Sequence, residues 1–146
     1  MNGSFTSKEP FAQRFVLTNA REDIEQAQRT ILGAIEARAF DPSCCFGIRL
    51  ALEEGLSNAF KHGNQGDPSK TVKLNCRIVP GKIHIEIEDE GQGFNPDAVP
   101  DPTESENVEI PAGRGLVLMK SFMTAVVIHP PGNRIEMIFE IPGQVK

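Results

Sequence analysis

The chain has 146 residues, one domain of ordinary size, long enough to bury roughly two-thirds of its unfolded surface without disulfide or metal staples. With 15 Lys and Arg against 20 Asp and Glu, the net charge of −5 lacks the basic footprint of a nucleic-acid binder. No apolar run approaches the ~20 residues that cross a bilayer, and the first ten residues have no secretory pattern. Three cysteines, two of them adjacent at 44 and 45, make a poor disulfide framework and no zinc spacing. The expectation is a cytoplasmic globular protein with no direct nucleic-acid or membrane partner.

Residues 11–18 predict a first strand. Residues 20–39 predict a helix, with Ile24, Ala27, Ile31, Ala34 and Ile35 at helical spacing. Asp41-Pro42 predicts an N-cap followed by proline at the first position of a second helix. That helix runs to about His62, with Gly63 as its C′ residue. Its apolar stripe is Cys45, Ile48, Leu52, Leu56, Ala59 and Phe60. A polar turn at 64–70 leads to a strand at 71–79, a Pro80-Gly81 turn and a strand at 82–88. Both strands alternate, which predicts a hairpin with one wet face. Residues 95–112 carry Pro96, Pro100, Pro102 and Pro111 and little periodicity; a long segment of this kind inside a compact domain is usually functional or mobile. A short helix is expected from about Gly115 to Met123, then a second hairpin at 124–129 and 134–141. The order β-α-α-β-β-loop-α-β-β predicts an α/β chain of α+β two-layer architecture: a mixed, mostly antiparallel sheet with helices on one face.

Three short motifs carry chemistry. Glu54 and Asn58 stand at i and i+4 on the second helix, so they share a face. An Asn amide oxygen is a hard neutral ligand suited to Mg²⁺, and a nearby carboxylate can act on a hydroxyl. Asp89-Glu-Gly91-Gln-Gly93 follows directly on a strand. A carboxylate there can accept a hydrogen bond from adenine's exocyclic amine, and the glycines permit close backbone approach to a ligand. Gly113-Arg114-Gly115-Leu116 opens a helix, an arrangement whose free N–H groups and dipole suit a phosphate. Alone, each is better explained by a solvated helix face, a tight turn or a helix breaker. Their order on successive elements is what joins them.

In that order the chain resembles the ATP-binding domain of the GHKL superfamily, the Bergerat fold shared by DNA gyrase and histidine kinases. LALEEGLSNAFKHG is similar to its N-box, EDEGQGF to its first glycine box and GRGLVLMKSFM to its second. Asn58-Ala59-Phe60-Lys61-His62-Gly63 and the Gly113-Arg-Gly-Leu run most resemble the anti-sigma-factor serine/threonine kinases. The resemblance covers about residues 11–141 and implies one histidine-kinase-like ATPase domain over 1–146. It implies that Asn58 binds Mg²⁺ bridging the phosphates of ATP and that Glu54 is the base or polariser for the substrate hydroxyl. Asp89 would meet the adenine amine, Gly91 and Gly93 would shape the pocket floor, and Gly113, Arg114, Gly115 and Leu116 would meet the phosphates. Residues 95–112 would be the ATP lid.

There are departures. Relatives often carry a Thr pair after the last turn glycine, where Gly132 is followed by Asn133 and Arg134, and an Asp where this chain has Thr124. Arg21 and Arg29 are both candidates for a first-helix arginine, and Glu53 competes with Glu54. His62 reads as a helix-end residue favoured by the dipole. Lys61 and Lys120 read as solvated, and Cys44, Cys45, Phe122 and Met123 as core or near-core.

The resemblance implies an ATP-dependent protein kinase that phosphorylates an anti-sigma-factor antagonist on Ser or Thr, with a sigma factor as a further partner and a homodimer as a possible assembly. The alternatives are a non-catalytic, nucleotide-gated binding module, and a histidine-kinase-like catalytic domain acting on a separate partner.

Overall fold

Five strands and two helices were obtained in a computed structural model, which describes residues 9–38, 40, 42–91, 120–130 and 133–141. In chain order they are β1 (Phe11–Leu17), α1 (Arg21–Glu36), α2 (Pro42–Asn58), β2 (Val72–Val79), β3 (Lys82–Glu88), β4 (Ala125–His129) and β5 (Arg134–Glu140). The sheet order is β1-β2-β3-β5-β4. Each pair among the described residues is antiparallel, in line with the expected mostly antiparallel sheet. β5, not β4, pairs with β3, so the sheet order departs from the chain order. That crossover places the end of β3 next to the β4–β5 turn.

Period-two alternation decides the core face. Val72, Leu74, Cys76 and Ile78 of β2, Ile83, Ile85 and Ile87 of β3, and Ile135 and Met137 of β5 are buried. The stripes of the two helices cover them: Ala27, Ile31, Ala34 and Ile35 from α1, and Ile48, Leu52 and Leu56 from α2. Cys45, expected in the stripe, packs only against the core's margin. Burial pushes the Cys76 thiol up to about 12, and no disulfide joins any of the three cysteines.

Element ends are secured by polar contacts. Arg38 closes α1 by donating to the carbonyls of Ala34 (2.8 Å) and Glu9 (2.9 Å), and its guanidinium lies 5.5 Å from the Phe11 ring centroid. Gly47 makes room for the Phe122 ring: a Cβ there would stand 2.8 Å from Cδ1. Phe122 is half-buried and Met123 buried, so the chain entering β4 is pinned on α2. Asp41 and residues 115–119 of the expected third helix lie outside the described residues; residues 120–122 are helical. No described helix is long and apolar enough to cross a membrane.

The opposite face of the sheet is open and polar. Arg14 donates to Asn75 (3.1 Å), Arg134 to Glu86 (2.9 Å), and Glu136 bonds both His84 and His129. These contacts tie neighbouring strands across their wet side.

Candidate functional site

The second helix does not end as expected. Regular α2 stops at Asn58, and Ala59–Gly63 forms a π-helical turn closed by the Asn64 N–H on the Ala59 carbonyl (2.8 Å). Such wide turns are frequent at functional sites. Gly63 is therefore not a left-handed C′ residue; the positive φ angles fall at Gln65 and Gly66 instead. What Gly63 supplies is space. A Cβ on it would overlap the Asp89 carboxylate, and a Cβ on Gly91 would overlap the Gly63 carbonyl. The end of the N-box and the start of the first glycine box thus meet as backbone against side chain with no room for a methyl group.

Asp89 is gripped from several sides. Its carboxylate accepts the Gly91 N–H at 2.7 Å. Its own N–H donates to the Asn133 carbonyl at 2.9 Å. Its carbonyl accepts the Asn133 side-chain amide at 3.2 Å. The next N–H, of Glu90, donates to the Asn64 side-chain oxygen at 2.8 Å. Burial holds the Asp89 carboxyl above the ordinary carboxylate range; the Gly91 N–H opposes this, nearby Glu88 reinforces it and Lys70 opposes it. A half-buried carboxylate with one oxygen committed to a backbone donor is built to accept one further hydrogen bond from a specific partner.

Asn64 is 1% exposed, the one buried polar residue among those described. It also donates to the Thr71 carbonyl at 3.1 Å. Glu90 binds both the backbone and the hydroxyl of Thr71, which lowers its carboxyl. Sequence reasoning missed Asn64, Thr71 and Glu90, because polar residues in a polar turn look solvated. The signal for Asn64 was its place directly after the Asn58–Gly63 run.

Glu54 and Asn58 are both half-buried on the same side of α2. The competing carboxylate, Glu53, is occupied at the surface by Arg49 (3.3 Å). Arg21 is 88% exposed and pairs with Glu25 (3.6 Å). His62 and Lys61 are both exposed at the helix end, as expected of solvated residues there. Gly93, Gly113, Arg114, Gly115 and Leu116, and the 95–112 segment, lie outside the described residues. A depression of about 440 Å³ on the open sheet face is lined by Arg14, Arg77, His84, Glu86 and Glu136 among others, none from the three motifs.

Asn58 offers one neutral oxygen, and among the described residues no group of three or more His, Cys, Asp or Glu is placed to hold a metal. That donor set fits Mg²⁺, which retains water and takes its remaining oxygens from phosphates.

A histidine kinase-like ATPase domain family matches residues 17–139. The anti-sigma F factor of Geobacillus thermodenitrificans is 30% identical over 120 residues, covering 80% of this chain and 82% of that protein. Its namesake in Geobacillus stearothermophilus is 29% identical over 121 residues, with the same coverage. One from Clostridium perfringens is 30% identical over 89 residues, 60% of this chain and 64% of that relative.

Proposed function

Because the chain belongs to the histidine kinase-like ATPase domain family, we propose that it binds Mg·ATP and phosphorylates an anti-sigma-factor antagonist on Ser or Thr. Transcription would then be regulated by partner switching, with a sigma factor as the competing partner. The observation that carries the nucleotide site is the junction of Asp89, Gly63 and Gly91, which unites two of the family's boxes. The names of the anti-sigma F relatives support the choice of partner. The reading takes residues 1–146 as one domain, a possible homodimer, working in the cytoplasm.

Asp89 accepts the adenine amine; guanine presents a carbonyl there and is refused, since carboxylate and carbonyl both lack the proton. Asn58 would hold Mg²⁺ through its amide oxygen, and the ion would supply neutralisation of the phosphate charge. Glu54, one helical turn from Asn58, orients the substrate hydroxyl and takes its proton. Gly91 and Gly93 form the pocket floor. Gly113, Arg114, Gly115 and Leu116 bind phosphates, and residues 95–112 cover the nucleotide. Phosphate on the antagonist then breaks its docking through charge and desolvation.

The test is transfer of labelled phosphate from ATP to a verified antagonist, wild type against Glu54→Gln. Acid-stable label on Ser or Thr that disappears in the variant supports the kinase. Acid-labile label points to a histidine acceptor. A second reading, a nucleotide-gated binding module without transfer, is favoured by Arg21, which is exposed and paired with Glu25 of its own helix. On that reading wild type transfers nothing and Glu54→Gln keeps ATP-dependent partner binding.

A further inference from the structure

Asn133 and Asn64 come from distant parts of the chain, the β4–β5 turn and the end of the π-helical turn. They meet on one peptide group. Asn133 Nδ2 donates to the Asp89 carbonyl (3.2 Å), and Asn64 Oδ1 accepts from the Glu90 N–H (2.8 Å). These are the two polar ends of the single peptide plane between residues 89 and 90. A peptide plane bonded at both ends to side chains is restrained against rotation, and it helps set where the Asp89 side chain leaves the backbone.

We infer that Asn133 and Asn64 are positioning residues for base recognition: together they lock the 89–90 peptide and so fix the Asp89 carboxylate for the exocyclic amine of a purine. The inference rests on the nucleotide reading above and deepens it. The Asn133 side chain holds the recognition residue through the backbone. Asn64 carries the same control from the other side and links it to the turn that follows Asn58. Its second bond, to Thr71 just before β2, keeps the amide from rotating. Sites that discriminate by one hydrogen bond need the acceptor held within about 0.5 Å, and preorganisation is what keeps the discrimination from being lost to motion.

The experiment measures Mg·ATP and Mg·ITP binding to the full chain by calorimetry. Inosine differs from adenosine by a carbonyl and a ring N–H in place of the amine and ring acceptor, so the ratio of the two affinities reads only the edge that Asp89 would see. Asn133→Ala removes the side-chain donor. Asn133→Asp keeps its shape but sets an anion against the Asp89 carbonyl. Both are expected to cut the ATP:ITP ratio by about tenfold, the worth of one well-placed hydrogen bond, through weaker ATP binding with ITP binding unchanged. Asn64→Ala should do the same; should it fail to fold, the two Asn133 variants decide. Equal loss of both nucleotides, or an unmoved ratio, overturns the positioning role while the nucleotide site stands. Wild-type protein that binds neither nucleotide overturns the site itself, and this role with it.

Discussion

The carboxylate of Asp89 occupies the space that a side chain at Gly63 would need. This is a close approach between a helix end and a strand end, and it makes Gly63 a packing requirement rather than a conformational one. Gly63→Ala should therefore destabilise the fold by about 1–3 kcal/mol, the cost of overpacking, and should displace Asp89. ATP affinity should fall with stability, and calorimetry with a denaturant titration checks both. Gly33 is the control. It lies exposed inside α1, has no positive φ, and has nothing within 4 Å of the place an added methyl group would take. Gly33→Ala should raise stability by about 0.5–1 kcal/mol and leave ATP binding unchanged.

Asp89 gives a pH dependence whose sign can be worked out. Its folded carboxyl is held above the unfolded value, chiefly by burial. The proton binds the folded form more tightly, so this group's contribution to stability is present below the unfolded value and is lost as pH rises through the folded one. At neutral pH the ionised carboxylate is a liability to the nucleotide-free protein. Asp89→Asn should then be at least as stable as wild type at neutral pH, by thermal melting, while ATP binding collapses. For wild type, ATP affinity should fall by up to about tenfold per pH unit once the carboxyl protonates, because the protonated oxygen no longer accepts the amine. That fall should begin at higher pH than for an exposed aspartate. A variant that is less stable yet binds ATP normally would reverse the assignment of roles.

Much of the framework was legible because it is periodic. The alternation through 72–79 and 82–88 and the 3.6-residue stripe of α1 each name a buried face, and those faces are buried. Strand ends moved by only one residue: Thr18, Thr71, Thr124 and Ile141 fall outside β1, β2, β4 and β5. The end of α2 was not legible. The π turn brings Gly63 against Asp89, a contact between residues far apart in the chain that no local pattern encodes. Asn64 was hidden for a related reason: a side-chain amide in a turn is assigned to water unless the groups it bonds, at 71 and 90, are known to be near. Asn133 was visible only as a missing threonine. Its bonds to Asp89 come from the β3–β5 pairing, which brings Glu88 opposite Arg134.

On the open face, Glu136 lies between two imidazoles, and its carboxyl is held below the ordinary range, first by His84 and then by His129. A depressed acid contributes stability that is present above its unfolded value and is lost as pH falls through the folded one. Glu136→Gln should weaken the β3–β5–β4 edge by about 1 kcal/mol at neutral pH, the net value of a hydrogen bond on a partly exposed face. Its acid-side melting profile should be flatter than that of wild type. None of the three residues belongs to the nucleotide motifs, so ATP affinity should not move. A profile as steep as wild type would show that other carboxylates govern the acid limb.

Asn58 and Glu54 share a face of α2 but should fail differently. An amide oxygen that holds Mg²⁺ against the phosphates acts in the bound state, so Asn58→Ala should weaken Mg·ATP binding while affecting metal-free ATP less. A base acts only when the proton moves, so Glu54→Gln should bind Mg·ATP normally and slow transfer by about a hundredfold or more. Both side chains are half-buried, and α2 keeps its buried stripe in either variant, so melting temperatures should stay near wild type. Binding isotherms with and without Mg²⁺, beside single-turnover transfer to the antagonist, separate the two. If Glu54→Gln lost binding and Asn58→Ala lost only transfer, the roles along this helix would be exchanged. If Glu54→Gln lost neither, Glu53 would be next to test, by releasing it from Arg49 with Arg49→Ala.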